Sequence, residues 1–272
     1  MRNHGLVAFA ASLAVAMTLC SCGGGTSASS VEESEPLPAL TEAEVKQWIG
    51  GDDSFIGREA TITGKVFSAE HSDDVYAFQV YTDPKNYSGN AIVYVRGDDP
   101  NIGSDSYIVA TGTVMEDLEG ENAFGGTVTA ACLEASSIEE VSYIEAVSPT
   151  LQAFDAGMTA EQNGYSITLN KIEFAADETR FYVTLTNNGA GRLSVYDYNA
   201  VLLQNGKQFN VQSNYEADYP TINNELAVGG TIEGVICFPK VEQTNMQMQL
   251  RGYSDNWEAD GGELSFTFDI AF

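Results

Sequence analysis

The chain has 272 residues, of which 43% are hydrophobic and 19% are charged, so it is long enough for two domains that each bury a core. It carries 12 Lys and Arg against 39 Asp and Glu, a formal net charge of −27. Such an acidic surface repels nucleic acid phosphates and anionic lipid head groups, so we expect no nucleic acid partner.

The N-terminus has the pattern of a secretory signal. Arg2 precedes an uncharged, mostly apolar run over residues 5–19, which is shorter than the ~20 residues that span a bilayer. The Leu19-Cys20-Ser21-Cys22 sequence that follows resembles the bacterial lipobox. This resemblance implies a signal peptide over residues 1–21, cleavage before Cys22, and acylation of Cys22 by diacylglycerol and a further fatty acid such as palmitate. An uncleaved anchor or plain secretion is the alternative.

The predicted location follows from that lipid. An acylated Cys22 holds the chain in the cell membrane, on its extracytoplasmic face. Residues 22–38 are rich in Gly, Ser, Glu and Pro, a composition that predicts a flexible acidic linker between the lipid and the first folded domain.

A first domain is predicted over residues 39–148. The Thr41-x-x-Glu44 pattern is a capping box and predicts a short helix over 42–49, which Gly50 and Gly51 end. Runs rich in β-branched and aromatic residues then predict five strands, two of which contain a glycine in mid-run (Gly64 and Gly112). The predicted strands are 60–67, 75–81, 91–95, 107–115 and 126–133. They favour a small closed barrel.

This half resembles the OB-fold domains of exported bacterial proteins, which are related in pattern to anticodon-binding domains. The resemblance rests on Ile56-Gly-Arg-Glu-Ala-Thr-Ile-Thr-Gly-Lys-Val66 and on Ile108-Val-Ala-Thr-Gly-Thr-Val114, and it covers residues 40–145. It implies a five-stranded barrel. A nucleic-acid surface of this kind needs a basic groove, whereas residues 40–148 contain five Lys and Arg against twenty acids. The barrel is therefore expected without the nucleic-acid role.

A second domain is predicted over residues 149–272. Alternating runs predict short strands separated by little helical pattern, which favours a β-sandwich. The predicted strands are 165–174, 180–187, 200–203, 230–238, 246–250 and 264–270. Asn205-Gly206 is a strong hairpin-turn signal. The predicted fold class of the whole chain is all-β.

The second half resembles the immunoglobulin-like, telokin-like domains of unknown function in Gram-positive lipoproteins. The resemblance rests on Tyr182-Val-Thr-Leu-Thr-Asn-Asn188, on the turn at 205–207 and on residues 226–238. It implies display and binding, and it carries no catalytic residues.

The residues of the sequence argue against an enzyme. His71 is the only histidine after the signal peptide, and neither a His-Glu-x-x-His, a Gly-x-Ser-x-Gly nor a Gly-x-x-x-x-Gly-Lys motif occurs. Cys132 and Cys237 are interpreted as small buried hydrophobes, with a disulfide between them as the alternative. We expect no catalytic residues and no cofactor.

Pairs of acidic residues suggest two alternative functions, calcium binding and glycoside hydrolysis. They occur at Asp52-Asp53, Asp73-Asp74, Asp98-Asp99 and Glu116-Asp117, and again in residues 255–260. Calcium prefers such oxygen ligands, although no EF-hand loop pattern is present, and glycoside hydrolysis also uses two carboxylates.

The leading hypothesis is a non-catalytic, lipid-anchored surface protein that binds a protein or glycan partner of the envelope or of a host. A calcium-dependent binding module is the alternative, and a carboxylate-based hydrolase is the weakest. The loop over 215–220, with Tyr196 and Tyr198, was a candidate for presenting aromatic rings, although packed tyrosines are the more common case.

Overall fold

The computed structural model describes residues 37–121, 126–223 and 225–272. The predicted signal peptide, Cys22 and the linker up to residue 36 lie outside the described residues. The chain divides into two compact units between Ser142 and Tyr143, six residues before the predicted boundary after Ser148. The difference arises because the short helix that starts at Tyr143 belongs to the second unit, where the Tyr143 hydroxyl accepts a hydrogen bond from Asn214 at 3.0 Å.

The described part of the first unit consists of one α-helix and five strands. They are α1 (Glu42–Ile49), β1 (Glu59–Ser72), β2 (Val75–Asp83), β3 (Ser88–Arg96), β4 (Tyr107–Glu121) and β5 (Thr127–Val141). A single 3-10 turn over Asp53–Phe55 follows the helix. Every predicted strand is present. β1, β4 and β5 each extend at least five residues beyond the predicted C-terminal end.

The predicted capping box is confirmed at the start of α1. The Thr41 side chain accepts from the backbone N–H of Glu44 at 3.3 Å, and the Glu44 carboxylate accepts from the backbone N–H of Thr41 at 2.8 Å. These bonds satisfy two donors that the first helical turn leaves without partners. Trp48 then points into the core, packed with residues of the barrel interior.

The five strands form a closed barrel in the order β1-β2-β3-β5-β4, and β4 pairs back to β1. All neighbours are antiparallel except β3 and β5. Gly64 and Gly112 lie where strands approach most closely: a Cβ atom at Gly112 would overlap the carbonyl oxygen of Glu134, and one at Gly64 would overlap that of Tyr81. The two glycines therefore permit the close strand contacts of this small barrel.

The described residues of the second unit form ten strands, two short α-helices and a 3-10 turn over Asp197–Asn199. They are α2 (Tyr143–Ala146), β6 (Gln152–Gln162), β7 (Tyr165–Phe174), β8 (Glu178–Asn187), β9 (Leu193–Val195), β10 (Val201–Gln204), β11 (Lys207–Asn210), β12 (Glu225–Leu226), β13 (Thr231–Pro239), β14 (Met246–Ser254), α3 (Trp257–Asp260) and β15 (Glu263–Ile270). The hairpin between β10 and β11 turns at Asn205 and Gly206, both with positive φ, as predicted.

Two sheets form this unit. One has four strands in the order β13-β8-β7-β6, and the other has six, with β14 paired to β15 on one side and to β10 and β9 on the other. Alternate residues of both sheets share one buried apolar cluster, which includes Phe181, Phe238, Phe266 and Phe268. The predicted all-β class is confirmed. Among the described residues, no helix has the length and apolar character needed to cross a membrane.

Candidate functional site

The exposed face of the six-stranded sheet is the candidate site in the second unit. On β14 the residues Met246, Met248 and Leu250 are buried in the core. Because side chains alternate along a strand, Gln247, Gln249, Arg251 and Tyr253 lie on the opposite face, where all four are exposed or half-buried.

Strand register extends this surface across four strands. Gln247 lies between Leu203 of β10 and Asp269 of β15, and Gln249 lies between Val201 and Thr267. On the far side of β10, Gln208 of β11 lies opposite Leu203, and Asn210 lies opposite Val201. Directly paired residues share a face. We call this surface the amide face, after its four side-chain amides: Gln208, Asn210, Gln247 and Gln249.

Hydrogen bonds orient these amides. The Gln249 side chain donates to the Gln247 carbonyl oxygen at 2.6 Å, and the Gln247 side chain donates to the Asp269 carboxylate at 2.6 Å. Gln208 donates to the Asn210 carbonyl oxygen at 2.9 Å. Each side-chain amide has two donor hydrogens and an acceptor oxygen, so these bonds leave further capacity on the groups for a ligand.

One end of the amide face carries the exposed ring of Tyr253, and two further tyrosines follow β9, the strand beside it. Tyr253 lies opposite Ser194 and Glu263 and is 39% exposed. Tyr196 follows β9 and stacks on Tyr198 at a centroid distance of 5.3 Å, and Tyr198 is 67% exposed. The other end holds a shallow depression of about 360 Å³, whose lining includes Leu203, Gln247 and Asp269.

The charges of the amide face nearly balance. Arg251 forms an ion pair with Glu263 at 3.5 Å, and Asp269 accepts from the Gln247 amide. The named charges therefore leave one net negative charge, that of Asp269, on this face of a chain whose formal net charge is −27.

The candidate site in the first unit is an acidic cavity of about 660 Å³. It is bounded by the end of α1 with Gly50 and Gly51, by the following 3-10 turn, and by β4 and β5. Its acidic lining residues are Asp53, Glu116, Asp117 and Glu119. Burial, together with the charge of Asp53, raises the pKa of Asp117. Two of the predicted acid pairs thus contribute to one concave surface.

A buried ionic network lies on the outer face of the four-stranded sheet. Arg180 of β8 is 0% exposed. Its guanidinium donates to Glu173 at 3.1 Å and to Glu178 at 2.7 Å, and it also donates to the Ser148 carbonyl at 2.9 Å and to the Thr150 hydroxyl at 2.7 Å. Arg180 therefore links β7 and β8 to the segment between α2 and β6.

Glu178 extends the network to the loop between β11 and β12. Its carboxylate accepts from the Tyr219 hydroxyl at 2.6 Å and from the Asn214 amide at 2.9 Å, and the Cys237 thiol lies 3.4 Å away. The sequence did not predict this network, because its residues come from separate elements of the chain. Its groups are buried and mutually bonded, so we assign it to stability.

The pKa values in the network follow from its hydrogen bonds. Burial opposes ionisation of Glu173, but hydrogen bonds from Lys171, Tyr182 and Thr150 outweigh burial and lower the pKa of Glu173 to about 2. Burial likewise opposes ionisation of Glu178, and bonds from Tyr219, Asn214 and Arg180 lower its pKa. Both carboxylates are therefore charged at neutral pH, as the buried guanidinium requires.

The other predicted residues are dispersed. His71 is exposed and stacks on Tyr76 at 4.3 Å. Cys132 and Cys237 are buried free thiols. Tyr215 is 92% exposed at the tip of its loop, whereas Tyr219 of the same loop belongs to the buried network.

Within the described ranges, no group of three or more His, Cys, Asp or Glu side chains is arranged to hold a metal ion.

No family model matches the chain, and no curated protein matches it. Similar solved structures include a functionally unknown protein from Listeria monocytogenes EGD-e, with 12% identity over 48% of this chain and 93% of that chain and a TM-score of 0.35. Another is a candidate lipoprotein (ycdA) of Bacillus subtilis, with 12% identity over 41% and 38% and a TM-score of 0.30. A third is a conserved domain protein from Bacillus anthracis, with 10% identity over 76% and 90% and a TM-score of 0.31. All three TM-scores are below 0.5, so these likenesses assign neither a fold family nor a function.

Proposed function

We propose that the chain is a non-catalytic surface protein, anchored by a lipid on Cys22 at the extracytoplasmic face of the cell membrane, which binds an envelope or host partner through its amide face. The observation that carries the binding role is the composition of this face: four amides, half-buried apolar side chains between them and the exposed Tyr253 at one end. Ligand-binding sites typically combine a few polar groups with surrounding apolar ones.

The proposal includes the resemblance of the two units to OB-fold and immunoglobulin-like domains. The strand order of the barrel, β1-β2-β3-β5-β4, agrees with an OB-type domain without a nucleic-acid role. The two-sheet second unit agrees with an immunoglobulin-like display domain. Neither domain type requires catalytic residues, which supports a binding role over an enzymatic one.

The anchor is tested by Cys22→Ala. The variant is expected to lose palmitate incorporation and membrane retention, because the diacylglycerol is transferred to the thiol and alanine has none. The measurement is detergent-phase partitioning of the full chain after labelling with radioactive palmitate. Cys20→Ala is the matched control and should retain the label. Unchanged partitioning of the Cys22 variant would exclude the anchor.

The binding surface is tested by adhesion of the full lipidated chain, incorporated in liposomes, to isolated envelope fragments. Combining Gln249→Ala with Tyr253→Ala should weaken adhesion about tenfold or more, a change of roughly 1.4 kcal/mol. The control is Thr168→Ala with Thr184→Ala, a directly paired set on the outer face of the four-stranded sheet. If the amide-face variant adheres as well as the control, this surface is not the binding site.

Calcium binding is the second candidate, favoured by the four carboxylates around the cavity of the first unit. Their arrangement in the structure is not a ligand set, so an ion would have to draw them together with backbone oxygens or water. Millimolar calcium should then raise the melting temperature of the first unit relative to chelator, because a ligand of the folded state stabilises it. Asp117→Asn should abolish this rise, whereas Asp74→Asn should keep it. Equal melting curves with and without calcium would remove this candidate.

A carboxylate-based hydrolase is the weakest candidate. It would use the same cavity, where burial and the Asp53 charge raise the pKa of Asp117, as a general acid requires. Release of reducing ends from a glycan panel, lost in Asp117→Asn, would be its signature.

A further inference from the structure

We infer that the ligand of the amide face is a linear, uncharged polysaccharide that lies along β14; this inference rests on the proposed function and names the class of its partner. Four properties of the face select this class: its charge, its hydrogen-bonding groups, the placement of its aromatic and apolar groups, and its length.

Charge excludes strongly ionic ligands. The chain as a whole repels polyanions, since its formal net charge is −27. A polycation would be attracted to the more acidic parts of the surface rather than to this face, where Arg251 is paired with Glu263 and Asp269 is the one carboxylate without a cation among these three. A neutral chain suits the amide face better than either.

The hydrogen-bonding groups match vicinal hydroxyls. Gln208 and Asn210 are exposed, and Gln247 and Gln249 are half-buried. Each amide both donates and accepts, as a sugar hydroxyl does, whereas a carboxylate or an ammonium offers only one of the two roles. The hydroxyl of Thr267, beside Gln249 in the register, adds another group of the same kind.

Aromatic and apolar groups lie where sugar rings would need them. Val201 and Leu203 lie between the amides and offer apolar contact to the C–H surface of a sugar. Tyr253 offers a ring face at one end of the strand, and Tyr198, which follows β9 in the chain, is a further exposed tyrosine.

The length of the face indicates an extended ligand. From Gln247 to Tyr253 the strand rises about 20 Å, at roughly 3.4 Å per residue. This span accommodates several sugar rings in a row, and the shallow depression at the Gln247 end lies on the same line. A span of this length suits a chain bound along the strand rather than a single sugar.

The test is isothermal titration of the full lipidated chain, held in a detergent that contains no sugar, with cellohexaose, xylohexaose, mannohexaose, maltohexaose and chitohexaose. At least one should bind, and shorter members of that series should bind more weakly. Gln249→Ala and Tyr253→Ala should each weaken binding about tenfold or more. Thr184→Ala and Tyr215→Ala are the controls, the second because it removes a tyrosine that is exposed elsewhere; both should bind as the unsubstituted chain does.

Several outcomes overturn the inference. If no oligosaccharide binds while envelope adhesion still depends on the amide face, the proposed function stands and the polysaccharide class falls. Adhesion that protease treatment of the envelope fragments abolishes, in the absence of any oligosaccharide binding, assigns the face to a protein instead. Oligosaccharide binding that Gln249→Ala and Tyr253→Ala leave unchanged places the sugar site elsewhere. Tighter binding of heparin than of the neutral series contradicts the charge argument.

Discussion

Replacing Arg180 by Met is expected to lower the free energy of unfolding of the second unit by about 3–5 kcal/mol, the usual cost of removing one partner from a buried ion pair. Arg180 is fully buried and compensates two carboxylates, Glu173 and Glu178. Met has comparable length and no charge, so the variant keeps much of the volume and leaves both carboxylates without their shared cation. The segment around Ser148 also loses its bond to the guanidinium.

The measurement is native-state amide hydrogen exchange of the intact chain, resolved by peptides from β7, β8 and β13. Arg192→Met is the matched control, because Arg192 forms an exposed ion pair with Glu225 at 3.3 Å, and exposed pairs contribute about 0–1 kcal/mol. Peptides of the barrel should be unaffected in both variants. A loss below about 1 kcal/mol for Arg180→Met would mean that water compensates the two carboxylates.

Gly112→Ala is expected to destabilise the first unit by about 3 kcal/mol, at the upper end of the usual cost of overpacking. The added Cβ would overlap the carbonyl oxygen of Glu134 and crowd the Cα atom of Ala135, both backbone atoms of the neighbouring strand. A flexible side chain could rotate away, but a paired backbone moves only if β4 and β5 separate. The closed barrel transmits that displacement to the remaining strands.

Gly103→Ala is the control for this prediction, since an added Cβ there meets nothing within 4 Å. Its effect should be within about 0.5 kcal/mol of zero, as for most surface substitutions. Urea unfolding of both variants, followed by the fluorescence of Trp48 in the barrel core, gives the comparison. Equal stabilities would show that the barrel relaxes around the extra methyl group.

The sequence predicted the regular elements where alternation was strong and missed them where it was weak. The strand runs in the barrel and the Asn205-Gly206 hairpin were predicted because β-branched residues and a defined turn type leave few alternatives. β6 was missed: its inward side chains include two alanines, Ala156 and Ala160, and a bulge between Asp155 and Met158 interrupts its period. The outer ends of β4 and β5 were missed because they carry acids such as Glu119 and Glu139, which strands usually disfavour.

The candidate sites depend on which strands pair with each other, and a single sequence does not show strand pairing. The alternation in residues 246–250 predicts that Gln247 and Gln249 share an exposed face. That Gln208 and Asn210 lie beside them follows only from the order of β11, β10 and β14. The burial of Arg180 was unpredictable for the same reason, because a charged side chain is buried only with partners, and these lie on separate elements.

The described residues of each unit include one cysteine, a buried free thiol: Cys132 in the first unit and Cys237 in the second. Burial raises the pKa of Cys132 to about 11, and it raises the pKa of Cys237 further above its usual range. Since the thiolate is the reactive form, both sulfurs resist oxidants as long as their own unit stays closed. Opening of the first unit would expose the sulfur of Cys132, and opening of the second would expose that of Cys237. At the extracytoplasmic location proposed above, oxidation of Cys132 or Cys237 would therefore identify which unit had opened.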